Sequence, residues 1–368
     1  MDTRDTPEQA ELRRAARQLA RELGPATVAD LDDGARAKRL TGAVHDAGWL
    51  ELRQDGGGGP VASGVESAIV ADALGGAVAD VAFTGPALAA DLSRRAGCGA
   101  TDSAVVGFAP NLIDPAVVPG RVAATPIYAV DAAEHVDVAS VLVPTGPDYR
   151  LAQVQLDGPA EGADLTRVIR RIPAGASLAD VHDQRRLLTH DDVAHWSALG
   201  LALTSADLVG LMRGVLDITV PYASERRQFG VPIGSFQAVQ HLLAEARCLM
   251  EGSLSAALYA SWAVDELAPD EACAAGRVAK AYCARAARTV CETAVQVHGG
   301  IGNTWECMVH VYLRRAVLSS QWFGDDGEQL LQIQRTRLGV DTPAAPSSGR
   351  PPGPAAPSSG RPPGPASG

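Results

Sequence analysis

Arg226, Gln228, Phe229 and Gln237 fall in one stretch, Tyr-Ala-Ser-Glu-Arg-Arg-Gln-Phe-Gly-Val-Pro-Ile-Gly-Ser-Phe-Gln (222–237). Gln296, Gly299 and Gly300 fall in a second, Gln-Val-His-Gly-Gly-Ile-Gly (296–302). An arginine offers a planar fork of donors that matches a phosphate. Glutamine amides donate N–H groups, and glycines admit a close approach to the backbone where a Cβ would clash. Alone, the first stretch is equally a solvated turn between helices. The second stretch, two helices further on, is what gives it weight.

Helices must position both stretches. Gly230, Pro232 and Gly234 break the helical pattern between apolar segments Ala198–Val220 and Ala238–Ala263, so the first stretch is a loop joining two long helices. Glu271–His298 and Met308–Trp322 read as further bundle helices, with the second stretch between them. Small residues such as Ala272-Cys273-Ala274-Ala275-Gly276 suit close helix packing. Upstream, Thr6–Leu23 is amphipathic and Arg-rich, and Ala35–Ala47, Val65–Leu74 and Gly85–Ala96 complete a helical block. Gly56-Gly57-Gly58-Gly59-Pro60 lacks the Lys-Ser/Thr of a phosphate loop and reads as a connector. Between the helical blocks, Ala104–Phe108, Arg121–Ala124, Ile127–Val130, Val138–Val143, Leu151–Leu156 and Val168–Ile172 are short β-rich runs. The resulting organisation is a helical domain over 1–100, a short β domain over 101–180, a four-helix-bundle domain over 185–340 and a tail over 341–368. In that tail Pro343–Gly353 is repeated letter for letter as Pro354–Gly364, a composition read as disordered.

Composition narrows the function classes. A net charge of −11 argues against a nucleic-acid partner. No uncharged apolar run reaches membrane-spanning length, and the charged start Met1-Asp2-Thr3-Arg4-Asp5 lacks a signal-peptide core, so a cytoplasmic location without a membrane span is expected. The six cysteines show no ligand spacing and read as small buried side chains. Asp192-Val193-Ala194-His195 has no second copy to complete a di-iron site, so no metal is expected.

With both loop motifs in the last helical block, the chain from Pro7 to Gly339 resembles the acyl-CoA dehydrogenase family. Glu225-Arg226-Arg227-Gln228-Phe229-Gly230 with Gln237, Gln296–Gly302, and Tyr312-Leu313-Arg314-Arg315-Ala316 carry the resemblance; Ala47-Gly48-Trp49 and Asp164-Leu165-Thr166-Arg167 add to it. It implies an α+β fold of N-terminal helices, a middle β domain and a C-terminal bundle. It also implies FAD as cofactor, placed between β domain and bundle and reaching into a neighbouring subunit. By that resemblance Arg226, Gln228, Phe229, Gln237, Gln296, Gly299 and Gly300 serve the FAD of a partner.

Two departures qualify the resemblance. The flavin-binding Thr-Glu-Pro-x-x-Gly-Ser-Asp-like segment is missing, and Gly-Phe-Ala-Pro-Asn-Leu-Ile-Asp-Pro (107–115) stands in that region. The family's two alternative positions for the catalytic Glu fall at Phe323 and near Gly200, neither acidic. Asp207, Glu306, Asp325 and Asp326 are the substitute carboxylates. No catalytic residue is assigned. The expectation is a non-catalytic subunit of a heterotetrameric acyl-CoA dehydrogenase, with a catalytic partner holding the acyl-CoA and an electron-transfer flavoprotein as acceptor. Its substrate class would be steroid side-chain CoA thioesters. The competing readings are a self-sufficient homomeric enzyme with an unusual base and a flavin-free scaffold.

Overall fold

The computed structural model describes residues 4–99, 104–132, 136–157 and 160–338; the repeat at 343–364 lies outside the described residues. The N-terminal helices are α1 (Pro7–Leu23), α2 (Gly34–Asp46), α3 (Gly64–Gly76) and α4 (Thr84–Ala96). Helix α1 starts on a capping box in which Thr6 and Gln9 satisfy each other's backbone N–H groups, with Pro7 in the first turn. The glycine run at 56–59 is a tight turn, closed by Gly56 N–H donating to the Gly59 carbonyl at 2.8 Å.

The β strands are β1 (Ala104–Phe108), β2 (Ile127–Val130), β3 (Val138–Thr145), β4 (Asp148–Gln155), β5 (Ala160–Glu161), β6 (Ile169–Ile172) and β7 (Leu178–Asp180). They form one sheet in the order β5-β6-β2-β1-β3-β4-β7, antiparallel except for the β1–β3 pair. The expected run at Arg121–Ala124 makes only a single bridge, Val122 to Ser177. Pro119-Gly120 before it and Pro126 after it leave too short a ladder for a strand.

The C-terminal elements are α5 (His190–Glu225), a two-stranded ribbon β8 (Arg227–Gln228) and β9 (Val231–Pro232), α6 (Gln237–Glu266), α7 (Pro269–His298), α8 (Val309–Gln321) and α9 (Asp326–Leu338). Helix α5 continues through Pro221 to Glu225, so the first residues of the 222–237 stretch are helical rather than loop. A single proline near a helix end removes one backbone donor, and the remaining turn is kept by Arg226 N–H on the Tyr222 carbonyl at 2.8 Å. Helix α9 is one more helix than the expected four. Helix α5 is long and apolar enough to cross a membrane, yet 94% of its most apolar window is buried inside the fold, as in a core helix. It lies on α3 almost backbone to backbone: a Cβ at Gly214 would fall 2.0 Å from the Gly76 carbonyl oxygen. Cys273, Cys283 and Cys291 are buried as expected, whereas Cys248 is exposed on α6.

Candidate functional site: an open platform and a filled junction

The seven residues singled out for ligand binding lie on the exposed ends of α5, α6 and α7. The β8–β9 ribbon pairs Arg227 with Pro232 and Gln228 with Val231, leaving Phe229 and Gly230 as its two turn residues. Their φ values, 53° and 82°, are both positive, as the tight turn that matches strand twist requires. Glycine adopts this freely, but phenylalanine is strained there. Phe229 is nevertheless 93% exposed. Among the described rings Phe236 meets it, edge-on at 6.3 Å.

The second stretch is brought to the first by a ring stack absent from the sequence reading. Tyr222 lies flat on His298, centroids 4.1 Å apart and planes 16° from parallel. The Tyr222 hydroxyl donates to the His298 carbonyl at 3.4 Å, and His298 Nδ1 lies 2.9 Å from the Ala294 carbonyl oxygen. Burial pushes the His298 pKa down, favouring neutral imidazole. His298 is therefore a clamp between the ends of α5 and α7. Tyr222, one helical turn before Arg226, is the signal that would have revealed it. Arg226, Gln228 and Gln237 are exposed, and so are Gln296, Gly299 and Gly300. Gly299 has φ 64°, and neither Gly299 nor Gly300 has an atom within 4 Å of where a Cβ would stand. The glycine turn is open to a ligand.

The junction between β sheet and bundle is the opposite case. The two positions where a base was sought converge: a Cβ on Gly200 would lie 2.0 Å from Phe323 Cζ. The Phe323 ring fills that space. It packs on Phe108 at 5.3 Å, Trp196 at 5.5 Å and Trp322 at 6.0 Å, all four rings being buried. Its backbone N–H donates to the Leu112 carbonyl at 2.8 Å. Phe108 and Leu112 belong to the segment that stands where the flavin motif is missing. The two departures are thus one unit, with the altered β segment gripping the altered base position.

Beneath the aromatic cluster runs a buried ionic network. Asp207 receives Arg315 Nη2 at 2.7 Å and the Ser319 hydroxyl at 2.7 Å, with Arg167 Nη2 at 3.1 Å. Arg167 also donates to Ser319 Oγ at 2.7 Å, pairs with Asp131 at 3.2 Å and lies over the Trp322 ring at 5.3 Å. Burial opposes ionisation of Asp207, but the two guanidiniums outweigh it and hold the carboxyl below its ordinary range. A carboxylate so held accepts a substrate proton poorly. Lys280, fully buried, donates to the Ser319 carbonyl, and burial lowers its pKa to about 7. Of the other substitute carboxylates, Asp325 caps the Glu328 N–H at 3.0 Å, Asp326 opens α9, and Glu306 is exposed.

For the FAD that the resemblance implies, the donor chemistry of the platform is suited and that of the junction is not. The open platform offers Arg226, two amides and bare glycine backbone to a pyrophosphate. At the junction the buried Phe323 ring occupies the space beside Gly200.

The family described as acyl-CoA dehydrogenase, C-terminal domain, matches residues 199–338. The acyl-CoA dehydrogenase IpdE2 of Mycolicibacterium smegmatis is 35% identical over 176 residues, which are 48% of this chain and 51% of that protein. The chain spans about half or less of the length of the curated relatives it matches. Among solved structures, the ChsE4-ChsE5 complex from Mycobacterium tuberculosis is similar with a TM-score of 0.74 at 23% identity, covering 94% of this chain and 100% of that one. A Tcur3481-Tcur3483 steroid ACAD variant is similar with a TM-score of 0.72 at 22% identity, covering 90% and 98%. At such identities the likeness speaks for the fold. Residues 199–338 match an acyl-CoA dehydrogenase C-terminal domain, and the chain carries the acyl-CoA dehydrogenase fold.

Proposed function

We propose that this chain is the non-catalytic subunit of a heteromeric acyl-CoA dehydrogenase and lends its open platform to FAD held mainly by a catalytic partner. The observation that carries this reading is the convergence of Gly200 and Phe323. Both places for a base meet at one point, and an aromatic ring occupies it. The chain's own junction therefore has neither base nor room, while its partner-facing residues stay exposed.

In the assembled enzyme Arg226 would pair with phosphate oxygens of the cofactor. Gln237 and Gln296 would donate amide N–H groups, and Gly299 and Gly300 would let the cofactor lie on the backbone. Gln228 and Phe229 would flank it, the ring supplying apolar cover. FAD would supply the acceptor for the hydride that leaves the β-carbon of the thioester. The base that removes the α-proton would come from the partner, and electrons would pass to an electron-transfer flavoprotein. The substrate class we favour is steroid side-chain CoA thioesters, supported by the fold shared with a steroid ACAD.

The test is the flavin absorbance of the full chain purified alone and after co-expression with a catalytic acyl-CoA dehydrogenase-like partner. A colourless chain that yields a yellow, active complex supports the reading. In that complex Arg226→Ala should lower flavin occupancy. A yellow chain that is reduced by an acyl-CoA without a partner would overturn it.

A further inference from the structure

The Arg-rich face of α1 takes no part in the function proposed above, yet it borders a cleft of about 390 Å³ between α1, α3, α5 and α8. A second concavity, of about 510 Å³, is lined by α1 and the residue Asp5 before it, and shares Arg17 and Arg21 with the first. In a chain of net charge −11 this trough concentrates guanidiniums.

Their pairing is incomplete. Asp72, buried on α3, receives Arg213 at 2.6 and 2.8 Å through one nitrogen that reaches both oxygens. Arg17 reaches the same carboxylate only at 3.3 Å, and Arg13 only at 3.8 Å. Arg13 has its own partner, holding Asp5 at 2.7 and 2.8 Å. Asp72 is therefore spent on Arg213, and Arg17 shares what remains. Arg17 Nε is buried with no hydrogen-bond partner among the described residues. Burial and the neighbouring Arg213 both act against the Arg17 charge. Arg21, at the mouth, stands 3.7 Å from Asp217 with its side chain 72% exposed. Ala20, Ala73 and Met308 give the cleft an apolar floor. Two guanidiniums with unspent donors, one exposed and one half-buried beside a like charge, are an incomplete anion clamp.

We infer that the α1 cleft binds a phosphate group, with Arg17 and Arg21 as its ligands and the apolar floor beneath whatever the phosphate carries. Arginine forks suit the several oxygens of a phosphate, and a dianion would relieve the crowding of Arg17 against Arg213. The phosphate can be free or part of a compact ester; both share this chemistry.

Calorimetric titration of the full chain with pyrophosphate, and separately with ADP, tests the inference. Saturable binding should appear, weaken about tenfold or more in the Arg17→Gln, Arg21→Gln double variant, and persist in Arg247→Gln, which alters a remote α6 arginine paired with Glu251. Equal affinity for both probes would identify the bare phosphate as the ligand group, and tighter ADP binding would identify an ester. Arg21→Gln alone, at an exposed side chain, keeps the test open should Arg17→Gln disturb folding. No saturable binding of either probe, equal affinity in the Arg21→Gln and parent proteins, or equal loss in Arg247→Gln would each overturn the assignment.

Discussion

Helices α5 and α7 each serve two regions with opposite properties. In their interior, Gly200, Asp207 and Lys280 help to build a junction of buried rings (Phe108, Trp196, Trp322, Phe323) and buried ion pairs. At their C-terminal ends, the same helices expose Arg226, Gln296 and the glycine turn with nothing laid over them. Packing removes a cavity in one place, while strain and glycine keep a surface bare in the other. The same two helices thus carry a packed interior and an exposed end.

The sharpest way to separate the regions is to remove Asp207. Asp207→Ala leaves Arg167 and Arg315 buried without their common acceptor, and urea unfolding should show a loss of about 3–5 kcal/mol. A change below about 0.5 kcal/mol, within the range of surface substitutions, would mean that the junction is not the rigid unit described.

Next in size is Gly200→Ala, which forces a Cβ into the Phe323 ring and should cost about 1–3 kcal/mol. Combining it with Phe323→Leu should recover part of that loss relative to the sum of the single changes, because the two residues compete for one space. Strict additivity in a double-mutant cycle would show that they do not touch.

Lys280 gives the junction a pH signature. Its folded pKa, about 7, lies below the ordinary value of 10.5, so above pH 7 the unfolded chain binds the extra proton. Its contribution to stability therefore rises with pH, and falls as pH drops through about 7. Cys283, pushed up to about 12 by burial, acts in the opposite sense only above its ordinary 9.0. Between about pH 7 and pH 9 the Lys280→Met protein should accordingly show a shallower increase in stability than the parent. Parallel slopes would sink the assignment.

The smallest effect should come from the platform. Arg226→Ala alters an exposed side chain and should leave the unfolding free energy within about 0.5 kcal/mol of the parent. Calorimetry giving a larger loss would place Arg226 in the structure rather than on a ligand-facing surface.

Most helices and the principal strands were legible in the sequence because their periodicities are strong. The α5–loop–α6 and α7–glycine-turn motifs were legible because Gly230, Pro232, Gly234 and Gly299 interrupt helices at fixed places. Helix α5 ran past its expected end because a proline in a last turn costs less than one in the middle. Cys248 surfaced because a helix periodicity does not say which of its faces another element will cover.

The sequence by itself determined that Phe323 and Gly200 are not carboxylates, since residue identity settles which side chains hold a titratable proton. It also determined which residues can offer forks, amides and bare backbone to an anion. Only the tertiary structure decided that those two positions are one place, because they lie far apart along the chain and meet through the packing of α5 against the turn after α8. The same packing stacked Tyr222 on His298 and set Arg17 beside Arg213. Contacts between distant segments depend on how helices cross, and no local periodicity records a crossing.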